Sequence, residues 1–107
     1  MEFCAIYKMV LKEGSTESDE LEFIDAWQKM TELIRDYEGG LGSRLHKSEK
    51  GEFIAYAQWP DKETWFTAGR KLPKEAEEVR NVVREKCSSI ETIHELSVVS
   101  DLLVPVK

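Results

Sequence analysis

No stretch of this 107-residue sequence approaches the ~20 consecutive apolar residues that a membrane-spanning helix requires. Its start, Met1-Glu2-Phe3-Cys4-Ala5-Ile6-Tyr7-Lys8, has neither the basic opening nor the long apolar stretch of a secretory signal. The expectation is a cytoplasmic protein with no membrane partner. Cysteine is scarce: Cys4 and Cys87 stand alone, neither in a CxxC pair, and read as reduced, packed thiols. A basic surplus is missing too, since 15 Lys and Arg face 21 Asp and Glu, for a net charge of −6. A phosphate-binding face needs clustered cations, whereas Lys71, Lys74, Arg80, Arg84 and Lys86 are interleaved with Glu75, Glu77, Glu78 and Glu85. That pattern reads as a solvated helix face and excludes nucleic acid as the expected partner.

Metal-ligand spacing is also lacking. The two histidines, His46 and His94, lie far apart, and no HxxxH or CxxC occurs, so no metal is expected. No GxGxxG or P-loop is present; Gly39-Gly40-Leu41-Gly42 leads from a helix into a strand, the wrong direction for a phosphate cradle. The sequence therefore predicts no cofactor. Disorder is not expected either, because 41% hydrophobic and 34% charged residues are globular proportions. Residues 1–107 form one domain's worth of chain, large enough to bury a core without staples.

What is present follows a clear order. Phe3 to Leu11 alternates as a strand apolar on both faces, which implies cover on both. A polar turn leads to a capping box of Asp19 and Glu22, with Ser18 as a rival cap. Phe23, Ala26, Trp27, Met30, Ile34 and Tyr37 then trace one helical stripe, ended by Gly39-Gly40. Leu41 to Lys47 and Phe53 to Trp59 predict a hairpin around Ser48 to Gly51. Asp61 caps a short helix through Trp65 and Phe66, and Pro73 starts another with Ala76, Val79, Val82 or Val83 and Cys87 inward. Ile90 to Val99 is the last strand, followed by an apolar tail, Asp101 to Lys107.

This order is βαββαβ, the ferredoxin-like α+β plan: two helices on one face of a four-stranded antiparallel sheet, the other face open. An open face lined by apolar residues marks an interaction surface. The expectation is a homodimer that closes sheet on sheet into an α/β barrel enclosing a shared pocket.

Tyr56-Ala57-Gln58-Trp59, followed by Pro60-Asp61-Lys62-Glu63 and an aromatic helix turn, resembles the antibiotic-biosynthesis-monooxygenase family of dimeric α/β barrels. The long helix with Phe23 and Trp27, and Tyr37-Glu38-Gly39-Gly40 after it, fit the same family. The resemblance implies oxidation of a phenolic polyketide or quinol by molecular oxygen without metal or flavin. The substrate anion itself reacts, and the protein supplies a dry pocket that stabilises developing charge. Ala55 stands where the polyketide-oxidising branch has Asn, Trp59 matches its Trp, and Trp65 falls at its helix-turn Tyr. The residues matching the haem-degrading branch's Asn, Trp and His are Tyr7, Ala68 and Glu78, all different, which speaks against haem degradation.

Trp59 is expected to border the open sheet face, with Ala55 and Ala57 leaving room for a flat ligand and Phe53 as wall; a Trp wedged in the core or the dimer interface is the alternative. His94, beside Ile90, Thr92, Leu96 and Val98, is the candidate base for a phenolic proton, against a structural histidine. Arg44 is a candidate cation for a phenolate, against an ordinary ion pair. Trp65, Tyr7 and Tyr56 complete the substrate-binding candidates. The leading function is a cofactor-independent monooxygenase for a small aromatic phenol, quinol or anthrone. A non-catalytic dimeric module for a small hydrophobic ligand is the alternative, and acid/base chemistry on the same fold is a third.

Overall fold

Each predicted periodicity becomes an element in the computed structural model, which describes residues 2–104. β1 (Phe3–Leu11), β2 (Ser43–Lys47), β3 (Phe53–Trp59) and β4 (Cys87–Ser97) form one antiparallel sheet in the order β2-β3-β1-β4. α1 (Glu17–Glu38), α2 (Lys62–Phe66) and α3 (Glu75–Lys86) complete the ferredoxin-like α+β plan. No helix among the described residues is long and apolar enough to cross a membrane.

The main core lies between the sheet and α1 and α3. Phe23 and Ala26 of α1 and Val83 of α3 pack on Met9, Phe53, Ala55 and Cys87 of the strands. Phe23 and Phe53 meet with ring centroids 4.9 Å apart. Polar clamps reinforce the helix pair: Lys86 Nζ lies 2.8 Å from Asp19 Oδ1 and 2.5 Å from Glu22 Oε2. The bond from Lys86, and after it the one from the Thr16 backbone amide, hold the Asp19 carboxyl down to about 2.

Local chemistry moves several boundaries. Asp19 does not cap α1. Thr16 does, accepting from the Asp19 amide at 3.1 Å while the Asp19 carboxylate accepts from the Thr16 amide at 2.8 Å. Asp is long enough to reach back across one turn, so the box closes one turn earlier than predicted. Tyr37, expected in the α1 stripe, is exposed. β2 starts at Ser43 because Gly42, at φ 108°, bends the chain out of extended geometry. β4 takes in Cys87 to Ser89 and stops at Ser97. The tail residues Leu102 and Val104 are exposed, and Pro105 to Lys107 of the predicted apolar tail lie outside the described residues.

Register decides which side chains share a face. In an antiparallel pair, directly opposed residues point the same way. Trp59 opposes Phe3, Ala57 opposes Ala5, and Ala55 opposes Tyr7, all on the helix side. Arg44, Tyr56, Ile6 and His94 form a row across the opposite, helix-free face.

A candidate ligand pocket between the helices and the sheet

A second buried cluster of Phe3, Ala5 and Trp59, flanked by Ile34, Ala57, Trp65 and Ala68, lies toward the α2 end of the sheet. Beside it opens a cavity of about 450 Å³ walled by β1, β2, β3, β4, α1, α3 and the α2 region. That volume lies in the range of small-molecule sites. All three tryptophans of the chain, Trp27, Trp59 and Trp65, line it.

Each wall has a local cause. Gly40 follows the α1 cap, and a Cβ there would sit 2.7 Å from Ile34 Cγ2, so any other residue would displace the Ile34 side chain, while the Trp59 ring at 3.6 Å would be in ordinary contact. The segment after α2 is fastened from behind: the buried Glu38 carboxylate accepts from the Gly69 amide at 2.6 Å and the Lys71 amide at 2.9 Å. Gly69 and Leu72 of that segment face the cavity.

The polar atoms of the lining are few. Trp65 Nε1 donates to the Tyr7 hydroxyl at 2.7 Å, which leaves the Tyr7 proton available to a ligand. Burial pushes the Tyr7 hydroxyl above its usual range, the Trp65 bond opposes this, and Glu95 adds to it, so Tyr7 stays protonated at neutral pH. Trp59 Nε1 is buried without an acceptor among the described residues. On the α1 and β2 side, Trp27 Nε1 donates to Ser43 Oγ at 3.2 Å, and Thr31 Oγ1 lies 2.8 Å from Ser43 Oγ and 2.9 Å from the Trp27 carbonyl. Arg80 and Arg84 line the cavity from α3. Tyr7 and these two arginines are the titratable residues of the described lining; it contains no carboxylate and no histidine.

The sequence-predicted residues divide between the two faces. Tyr7, Trp59 and Trp65 come together at the cavity, as their spacing and the helix turn after β3 allow. Trp59 borders the helix-covered face, so the expectation that it faces the open one is corrected. Parity was right in grouping it with Ala55 and Ala57, but only strand pairing says which side α1 covers. Phe53 shares that face yet sits against Phe23 in the main core, away from the cavity lining. Arg44 and Tyr56 oppose each other on the helix-free face. The predicted convergence of His94 with Trp59 does not occur. The β1–β4 register shifts between Ile6 and Tyr7, which pair with His94 and Thr92, so Ile93 is an extra residue. One extra residue turns the following side chains to the other face. Ile90 therefore lines the cavity while His94 lies on the opposite side of the sheet, exposed.

The cavity also differs in place from the predicted shared pocket, since it lies inside one chain, between sheet and helices. Sequence reading missed Thr31, Ser43 and Arg80 as lining residues. Thr31 falls one turn after Trp27 on the same helix face, a signal that helical spacing carries. Ser43 shares parity with Leu45, but its neighbour is set by strand pairing alone.

No protein-family model matches the chain, and no curated protein matches it. Solved structures do. A cofactor-independent oxygenase from Streptomyces nogalater, SnoaB, superimposes with a TM-score of 0.72 at 13% identity, covering 94% of this chain and 96% of that one. A candidate antibiotic biosynthesis monooxygenase from Bordetella bronchiseptica gives a TM-score of 0.72 at 18% identity over 92% of this chain and 98% of that chain. A dimeric protein of unknown function with a ferredoxin-like fold from Bacteroides fragilis gives 0.67 at 10% identity over 91% and 96%. In its fold, over nearly its whole length, this chain is thus similar to the antibiotic-biosynthesis-monooxygenase-like structures.

Proposed function

We propose that this protein is a cofactor-independent monooxygenase acting on a small aromatic phenol, quinol or anthrone bound between the sheet and helices. The observation that carries this reading is the cavity of about 450 Å³ lined by three indoles, with one hydroxyl donor and two cations as its titratable groups. Flat indole faces favour a flat, electron-rich ligand. Tyr7 donates to a ligand oxygen, and Arg80 with Arg84 favours the phenolate or enolate form. That anion supplies the electrons for oxygen. For an anthrone, the CH₂ group gains one oxygen atom as a carbonyl, and its two hydrogens leave with the second oxygen atom as water.

With no carboxylate or imidazole in the described lining, the proton goes to solvent at the cavity mouth rather than to a protein base. His94 is accordingly assigned to the helix-free face. The same lack of a base favours the second reading, a binding module for a small hydrophobic ligand.

Oxygen uptake with two substrates of different acidity separates these readings. The rate should rise with pH following each substrate's own pKa, and should fall about 100-fold or more in Arg80→Ala, as for a lost charge-stabilising donor of about 3–4 kcal/mol. A common inflection near neutral pH for both substrates would restore a protein base. Saturable binding without oxygen uptake would favour the binding module.

The helix-free face completes the proposal. Ile6, Ile54, Tyr56 and Leu96 lie there with Arg44 and His94. A second copy covering this face is the arrangement we propose, with these residues as the interface.

A further inference from the structure

The hydroxyl pair Thr31 and Ser43 carries an inference about what the ligand presents, which rests on the cavity being the ligand site. Three contacts link the pair to Trp27: its indole N–H to Ser43 Oγ at 3.2 Å, Ser43 Oγ to Thr31 Oγ1 at 2.8 Å, and Thr31 Oγ1 to the Trp27 carbonyl at 2.9 Å. A carbonyl only accepts and an indole N–H only donates. All three contacts are bonds in one arrangement. Trp27 donates to Ser43, Ser43 donates to Thr31, and Thr31 donates back to the Trp27 carbonyl. Every proton of the set is then used within the protein. Each hydroxyl oxygen keeps one lone pair, since it has two and has accepted once.

We propose that this wall is an acceptor-only subsite, selecting ligands that present a protonated hydroxyl at the β2 side of the cavity. The β1 side has the opposite polarity, because Tyr7 accepts from Trp65 and has its own proton to give. β2 and β1 are separated by two strand spacings, on the order of 10 Å. That span suits a fused bicyclic or tricyclic aromatic with an oxygen acceptor at one end and a hydroxyl donor at the other. A ligand bearing only acceptors satisfies Tyr7 and leaves its other oxygen facing lone pairs.

Three probes of one shape test this by calorimetry: 2,6-dihydroxynaphthalene, its monomethyl ether and its dimethyl ether. The monoether can turn its one hydroxyl toward Thr31 and Ser43 and its ether oxygen toward Tyr7, so it should bind about as well as the diol. The diether should bind roughly fivefold to tenfold more weakly, the worth of one neutral hydrogen bond. Thr31→Val frees the Ser43 proton, turns that hydroxyl into a donor, and should bring the diether within about twofold of the monoether. Thr31→Ser, which keeps the hydroxyl, should restore the gap. Equal binding of monoether and diether by the unmodified protein would overturn the acceptor wall while leaving the cavity as the ligand site. A gap that survives in folded Thr31→Val would overturn it as well, since steric cost alone would then explain the difference. Binding of none of the three would instead reject the cavity as an aromatic site.

Discussion

Along β1, Phe3, Ala5 and Met9 point to the helices and are buried, while on the other side Cys4 is buried and Ile6, Lys8 and Val10 are half-buried. The two faces thus draw on one strand with similar apolar content, and what covers them differs. On the helix side, cover comes from the same chain; small residues such as Gly40 and Ala57 leave the cavity at one end, and Ile90 and Thr92 of β4 stay exposed. On the other side no helix among the described residues is present, and the row Arg44, Tyr56, Ile6 and His94 mixes charge with apolar surface. Such a mixture is common where a surface meets another protein, because it must remain compatible with water before the partner arrives. The lesson is that an apolar strand face says only that cover exists, not who supplies it.

The largest expected effect tests the self-covered face. Phe23→Ala removes a ring with no exposure from the middle of the core, and chemical denaturation should show a loss of about 3–5 kcal/mol. A loss below about 1 kcal/mol would mean the core relaxes around the gap and the contrast between faces is weaker than drawn.

The next test addresses the other face. Light scattering should give twice 12.4 kDa for the unmodified chain and 12.4 kDa for Ile6→Asp, with a melting temperature that depends on concentration only in the former. A monomeric unmodified chain would leave the helix-free face without the second copy proposed for it.

A smaller effect compares two tyrosines. Tyr7→Phe deprives the Trp65 N–H of its acceptor and should cost about 1–2 kcal/mol of stability, together with several-fold weaker binding of naphthol. Tyr56→Phe, on the opposite face, should leave naphthol binding unchanged. Equal effects of the two changes would show that the faces are coupled rather than separate.

The smallest effect is confined to acid. The Asp19 carboxyl is held down to about 2, first by its bond to Lys86, whose own ammonium is raised in return. A depressed carboxyl contributes stability above its unfolded pKa, and loses it as pH falls through the folded value. Asp19→Asn should therefore flatten the stability profile between about pH 4 and pH 2 relative to the unmodified chain. An unchanged acid limb would show that solvent screening cancels the clamp between α1 and α3.

How far the sequence reached depends on the range of the interaction in question. β1 and β3 were legible to the residue, because a period of two and the flanking turn residues act within a few positions. The Asp61 cap, the glycine end of α1 and the stripes of α1 and α3, apart from exposed Tyr37 and from Cys87, which belongs to β4, were legible for the same reason. The grouping of Trp59 with Ala55 and Ala57 on one strand face was legible as a local pattern, but the side of the sheet it faces was not. The cap of α1 was misplaced because Ser18, Thr16 and Asp19 all offer cap chemistry, and only the backbone path chooses among them.

By itself, then, the amino-acid sequence determined the elements, their order and the βαββαβ plan, since each rests on short-range periodicity and turn chemistry. Only the tertiary structure decided which face of each strand meets the helices. It placed Thr31 beside Ser43 and Arg80 at the cavity, and it separated His94 from Trp59. The physical reason is the antiparallel register. A single extra residue at Ile93 reverses the parity of β4, and that insertion is visible only when β1 lies alongside it.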